Sequence, residues 1–317
     1  MSKITPFNHP DYNNLPPQFP PNCASAWGED QYGIWFDLTI KHIVQRFRWI
    51  PKGQFTMGSP EEELERISSE ETLHKVTLSQ GYWLADTACT QALWQAVMGE
   101  NPSYFIDDLQ KPVEQVTWLD TQRFLSTLNQ IMPALQAQLP SDAQWEYACR
   151  AGTITPFYFG ETMSAEQVNY NGHYPYANGE KSQYRETPIP VTGLAINAWG
   201  LYQMHGNVWE WCFDEFCEDL GSEPVTDPVT ACFKAGIQAA QVSSQTKMDT
   251  APVIYTRISH THFKSEALEN AEDTSVQRVL RGGSWDDYGG SCRSALRLRY
   301  DADNRDFSVG FRLSLGL

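Results

Sequence analysis

From residue 153 to residue 207 the chain shows neither helical nor strand periodicity. The stretch TITPFYFGETMSAEQVNYNGHYPYANGEKSQYRETPIPVTGLAINAWGLYQMHGN is crowded instead with Gly, Asn, Pro and Tyr. A segment of this length without regular structure can exist inside a compact domain only if its loops are ordered. Ordering them requires internal staples, such as aromatic clusters or bound ions. This stretch therefore reads as ordered loops packed by aromatics. The raw material is present: 41% of the 317 residues are apolar, with 11 Trp, 14 Tyr and 15 Phe, enough to fill a sizeable core.

Regular patterning occurs on either side. Tyr32 to Ile50 carries aromatic and β-branched residues (Phe36, Ile40, Ile43, Val44, Phe47, Trp49) that predict paired strands. GQFTMGSP continues strand character until Gly58 and Pro60, and KVTLSQGYWLA predicts a further strand. The acidic run PEEELERISSEE between them reads as a solvated face. Thr90 is an N-cap for QALWQAVM with Gly99 as its stop, and Thr117 opens WLDTQRFLSTLNQIM. Ser141 with Gln144 forms a capping box for SDAQWEYACRAG. Residues 1–25, rich in Pro and Asn, read as an extended N-terminal segment, and 26–317 as one domain. That domain is interrupted at about 229–276 by a Ser, Thr and Ala-rich insertion, with helical character around Ala235 to Val242.

A formal charge of −16 without a basic stripe argues against nucleic-acid binding. Seven cysteines without a CxxC pair suit a reduced protein better than a disulfide scaffold. The start lacks the apolar core of a secretory signal and no apolar run reaches membrane-spanning length, so the expected location is cytoplasmic, with no membrane partner.

Seven motifs then occur in order: FTMGSP, LADTACTQALWQAVMGENPS, PVEQVTW, LPSDAQWEYACRAG, NAWGLYQMHGNVWEW, RVLRGGSW and GFRL. Together they resemble the formylglycine-generating-enzyme (sulfatase-modifying-factor) domain family over residues 47–316, the insertion excepted. The resemblance implies an α+β, C-type-lectin-like fold. It also implies a copper(I) site made by two cysteines, four residues apart, after the GGS motif; soft thiolates suit that ion. Here the segment holds Cys292 alone. Counted from Ser284, Asp287 stands at the first cysteine position and Cys292 at the second; counted back from GFR, Cys292 falls outside both. Either way one thiolate is missing, so no copper and no family catalysis are expected. The His-x3-His-x-Glu site of a second, iron-dependent branch is absent, and His260 and His262 in the insertion do not replace it.

Calcium is the cofactor that the resemblance does imply. Asn207 and Glu210, with the backbone oxygen of Val208, match the family's ion site at GNVWEW, and Asn169 with Tyr170 matches part of a second. Ser182 stands where that second site needs an acidic residue.

The 24 residues from Asp286 to Val309 contain no Lys, Glu, Gln, Met or Trp, types that fill 69 of the 317 positions. Composition alone would place about five there. Some proteins of this fold resemble variable proteins of diversity-generating retroelements, in which randomised asparagine codons never encode those five types. The alternative is a C-terminal segment simply poor in them. As a binding surface the segment offers Trp285, Asp286, Asp287, Tyr288, Ser291, Leu296, Leu298, Tyr300, Phe307 and Ser308, with Trp285 also readable as core. Arg293, Arg297, Arg299, Arg305 and Arg312 are expected to pair with acidic groups. The expected function is non-catalytic binding of a protein or other macromolecule. The alternatives are a lone-thiol oxidoreductase using Cys292 and a regulatory subunit that docks through its insertion.

Overall fold

A computed structural model describes residues 15–231, 253–256 and 276–316. Residues 1–14 of the N-terminal segment, and most of the insertion with its expected helix, lie outside the described residues.

The expected hairpin forms as β2 (Gly33–Ile40) and β3 (Ile43–Ile50), with β1 (Ala26–Asp30) antiparallel to β2 at the edge. Alternation along β2 sends Ile34, Phe36, Leu38 and Ile40 inward. β4 (Gly53–Met57) pairs with β5 (His74–Leu78). KVTLSQGYWLA, read as one strand, is two: the chain leaves β5 and re-forms as β6 (Tyr82–Ala85) beside β3. The break passes through Gly81, where a Cβ would stand 2.3 Å from the Trp49 ring.

Among the described residues, the three α-helices start at their expected caps. Thr90 Oγ1 accepts from the Leu93 N–H at the start of α1 (Gln91–Met98), which stops at left-handed Gly99. Thr117 caps α2 (Trp118–Ile131), where Asp120 closes a capping box. After β7 (Ala137–Gln138), the Ser141–Gln144 box opens α3 (Asp142–Arg150).

The remaining strands are β8 (Trp209–Glu215), β9 (Val225–Thr226), β10 (Pro228–Ala231), β11 (Val253–Thr256), β12 (Gln277–Arg281), β13 (Arg297–Asp301), β14 (Val309–Phe311) and β15 (Ser314–Leu315). They assemble into a six-stranded sheet in the order β1-β2-β3-β6-β15-β7, a four-stranded sheet β13-β12-β8-β14, and the smaller sheets β4-β5-β9 and β10-β11. The pair β10-β11 is the described part of the insertion. From residue 151 to 208 there is no strand or helix beyond isolated bridges, as the sequence demanded. One apolar cluster joins the large sheet, α1, α2 and the four-stranded sheet through Phe36, Trp83, Trp118, Phe124, Trp211 and Phe311. A second gathers around Trp145, Met204 and Cys212.

Charge is built into this interior. Arg312 makes a two-pronged ion pair with Glu210, both contacts 2.7 Å. Arg281 joins Asp142 and Glu146, and Arg297 shares Asp142 at 2.8 Å. Arg293 reaches Glu63 and Glu71 at 2.7 Å and also the Glu65 carbonyl. The guanidinium groups of Arg281, Arg293, Arg297 and Arg312 are buried, which such groups tolerate only when paired. The expectation for these arginines holds, while Arg299 and Arg305 pair at the surface. The same contacts correct the reading of PEEELERISSEE as a solvated face. Glu71 is 1% exposed and Glu63 points inward, both held by Arg293 from 222 or more residues away.

Cys23, Cys89, Cys149, Cys212 and Cys292 are free thiols, whereas Cys217 is disulfide-bonded. The reading of the whole set as reduced is thus corrected at Cys217. Among the described residues no helix is long and apolar enough to cross a membrane.

Candidate functional site

RGGS leaves β12 through two left-handed glycines, Gly282 at φ 100° and Gly283 at φ 74°. A Cβ on Gly283 would lie 2.7 Å from the Cys292 sulfur, so only glycine allows the chain to fold back over that thiol. The following residues return through a single 3₁₀ turn, Gly289–Cys292, into β13.

Asp287 and Cys292 come close enough to interact, at the spacing of the family's cysteine pair. Cys292 is fully buried; burial first, then the Asp287 carboxylate, push its thiol well above the ordinary range. This is the reverse of the depressed pKa that a reactive free thiol needs. Asp287 is occupied by the fold: the Trp209 Nε1–H donates to it at 2.8 Å and the Ser284 hydroxyl donates to the same oxygen. Burial raises its pKa as well. The nearest imidazole is locked too. His205 Nδ1 bonds the Cys292 carbonyl at 2.7 Å and its Nε2 accepts from the Tyr158 N–H. Burial, foremost, pushes His205 down to about 3, so it stays neutral. Cys149, 3.8 Å from that ring, is pushed up to about 12 by burial. These residues can pack and hydrogen-bond. They do not present two thiolates.

The side chains expected to hold calcium are hydrogen-bonded within the protein. Both Glu210 carboxylate oxygens are taken, by Arg312 and by the Trp145 Nε1–H at 2.7 Å. Asn207 spends its amide elsewhere: Oδ1 accepts from Ile189 N–H at 2.9 Å and from Asn169, and Nδ2 donates to the Ile189 carbonyl and Gln203. Asn207 and Glu210 share no partner, and Val208 packs its side chain against Ala88 and Val191. For the second set, Asn169 Nδ2 donates to Thr187 O, and Tyr170 is buried with its hydroxyl 3.3 Å from Ser182. Asn169 Oδ1 has no partner, yet no acidic side chain joins it, and no group of three His, Cys, Asp or Glu forms a metal cluster among the described residues. Two amides, Asn169 and Asn207, tie residues 187–189 to the turn at Gly206.

The aromatic staple does form, and it lies at the surface. Trp285, 5% exposed, is its hub. Phe105 meets it edge-on at 5.4 Å, Tyr184 stacks at 6.1 Å and Phe307 leans on it at 5.6 Å. Tyr104 packs edge-on against Phe105, and His173 against Tyr184. Three distant loops therefore meet at one indole: residues 101–109, 171–187 and the C-terminal loops. The second is sewn to the third by Asn171 N–H to Asp287 O (2.9 Å) and Gly289 N–H to Tyr174 O (2.8 Å). The outward-facing parts are Tyr104 (71% exposed), Ile106 (66%), Tyr174 (63%), Tyr288 (50%) and Phe307 (36%).

The expected contact residues divide accordingly. Asp286, Tyr288 and Phe307 face solvent; Asp287, Leu298 and Tyr300 are half-buried. Ser291, Leu296 and Ser308 are buried and serve packing in this fold. Gly289 has no space for another residue, since a Cβ would fall 2.3 Å from the Tyr176 backbone nitrogen; at Gly290 a Cβ would meet the end of the exposed Glu65 side chain, which can move aside. Val309 is fully buried in β14. Sequence reasoning missed Tyr104, Phe105, Ile106, Tyr174 and Tyr184. The available signal was SYFIDDL, an apolar triplet immediately before an acidic turn, with no strand or helix to bury it.

The fold so described is of the α+β, C-type-lectin-like class. Residues 40–315 match the sulfatase-modifying factor enzyme 1-like domain, and the chain belongs to that family. It is 28% identical over 228 residues to the formylglycine-generating enzyme of Mycobacterium tuberculosis, covering 70% of this chain and 62% of that one. It is 25% identical to the Streptomyces coelicolor enzyme over 266 residues, 79% of this chain and 69% of the relative. The chain thus spans under two thirds of the mycobacterial protein's length. Among solved structures, Treponema denticola variable protein 1 superposes with a TM-score of 0.64 at 20% identity, covering 89% of this chain and 98% of that one. PvdO from Pseudomonas aeruginosa gives 0.60 at 20%, over 93% and 99%. At such identities these structures establish the shared fold.

Proposed function

We propose that this chain is a non-catalytic member of the formylglycine-generating-enzyme fold family that binds a macromolecule through the loops around Trp285. The observation that carries the reading is the convergence of three loops into an exposed aromatic surface, where the family's thiolate pair is replaced by an Asp and a buried, protonated Cys. Large amphipathic rings fixed on a rigid hub supply contact area at small entropic cost. A lone-thiol oxidoreductase needs an accessible thiolate, and Cys292 offers none. Retroelement diversification, if it operates on this chain, would favour exposed positions such as 286, 288 and 307 over 289, where a Cβ meets backbone, and buried 309.

A photo-crosslinking amino acid at position 288 or 307 tests the proposal. A discrete covalent adduct with one partner is expected from either, and none from position 44, an exposed site on the β3 strand. Equal labelling from all three, or none from 288 and 307, would refute it.

A further inference from the structure

The ring surface has a charge. Asp286 is exposed beside the stacked Tyr184–Trp285 pair and accepts a hydrogen bond from the Tyr184 hydroxyl. Glu186 is also exposed, and together the two carboxylates act on the Tyr184 phenol, raising it beyond what burial alone does. Neither carboxylate has a cation partner among the described residues, and neither does exposed Asp303 in the adjoining C-terminal loop. Exposed Lys181 and His173 aside, the cations of these loops are committed elsewhere. Lys111 bonds Asp107 and Thr187, Arg305 pairs with Asp120, and Arg185 donates to the Ala165 carbonyl. Arg293 and Arg297 point into the core. The result is a set of electron-rich ring faces rimmed by uncompensated carboxylates.

We infer that the partner presents Arg or Lys side chains to this surface, a basic protein segment whose cation sits against the exposed part of the Tyr184 ring, beside the Asp286 and Glu186 carboxylates, with buried Trp285 holding that ring in place. The inference rests on the binding reading above and specifies its chemistry. A guanidinium or ammonium group is drawn to a ring face and to a carboxylate at once, and Arg can stack and hydrogen-bond together. An acidic or purely apolar partner would leave those carboxylates desolvated and unpaired, which opposes association. The overall charge of −16 adds long-range attraction for a basic partner.

The test uses the full chain and fluorescein-labelled Arg–Gly, Lys–Gly and Glu–Gly repeat peptides of equal length, with anisotropy as the readout. Asp286→Asn with Glu186→Gln removes the rim, and Glu61→Gln with Glu62→Gln makes the same net charge change on the exposed acidic run. Arg–Gly is expected to bind, Lys–Gly more weakly, and Glu–Gly not at all. The rim variant should weaken Arg–Gly about tenfold and flatten its salt dependence, with the control pair within about twofold of wild type. Equal losses in both variants would mean diffuse attraction and overturn the inference. So would binding of Glu–Gly, or an unchanged rim variant. The binding reading fails separately, if crosslinking at 288 and 307 captures no partner. A partner captured there whose contacting segment lacks Arg and Lys would sink only the cationic chemistry.

Discussion

Replacing Arg293 by Met tests whether buried charge, rather than apolar packing alone, fastens the C-terminal frame to the remote acidic run. The guanidinium makes three side-chain contacts of 2.7 Å to Glu63 and Glu71 and a fourth, 2.8 Å, to the Glu65 carbonyl. Removing it leaves two carboxylates facing the interior without a countercharge, a change that typically costs about 3–5 kcal/mol. For a domain of this size that corresponds to a fall in Tm of roughly 10 °C. Urea unfolding followed by tryptophan fluorescence would measure it. The pH dependence gives an internal check. Burial pushes Glu71 up, but the bonds from Arg293 outweigh it and hold the carboxyl below its ordinary value. A depressed pKa contributes stability that is present above the unfolded value and lost as pH falls through the folded one. The deficit of Arg293→Met should therefore be full at neutral pH and shrink in acid. Adding Glu63→Gln and Glu71→Gln to the variant should restore part of the loss. A deficit below about 1 kcal/mol at neutral pH, the level of a surface ion pair, would refute the reasoning.

Other perturbations address the remaining parts. Burial, partly offset by Arg48, Arg46 and Arg312, raises Asp86 to about 7. Its native state thus holds a proton that the unfolded chain releases near pH 4, so stability should fall between those values by up to about 1.4 kcal/mol per pH unit. Asp86→Asn should flatten that slope in pH-resolved denaturation. Gly289→Ala should cost about 2 kcal/mol, because its Cβ meets the Tyr176 backbone and not a movable side chain. Calcium and a chelator should leave Tm equal, since an ion bound to the native state alone would raise it with concentration. Peptide mapping of the denatured, alkylated protein should find Cys217 blocked until a reductant is added, and Cys89, Cys149, Cys212 and Cys292 labelled without one.

Local signals carried the fold well where a residue's preference acts through its near neighbours. The caps at Thr90, Thr117 and Ser141 and the alternation of β2 depend on contacts a few residues away, and each is where the sequence puts it. The acidic run was misread for the opposite reason: nothing within it announces that Arg293 comes to it from 222 residues away. The split between β5 and β6 likewise depends on a Trp49 ring packed across the sheet. At the candidate surface, Asp286, Tyr288 and Phe307 were legible because composition marked their segment. Tyr104, Phe105 and Tyr184 were not, since only tertiary structure brings those loops to Trp285.

The account turns on whether the domain performs copper-dependent thiol chemistry or only binds. Incubating the chain with Cu(I), oxygen and a cysteine-containing peptide, and following peptide mass and bound copper together, decides this most directly. The account predicts no stoichiometric copper and an unchanged peptide thiol, with Cys292→Ser indistinguishable from wild type. Stoichiometric copper with oxygen-dependent loss of the thiol, abolished by Cys292→Ser, would contradict it.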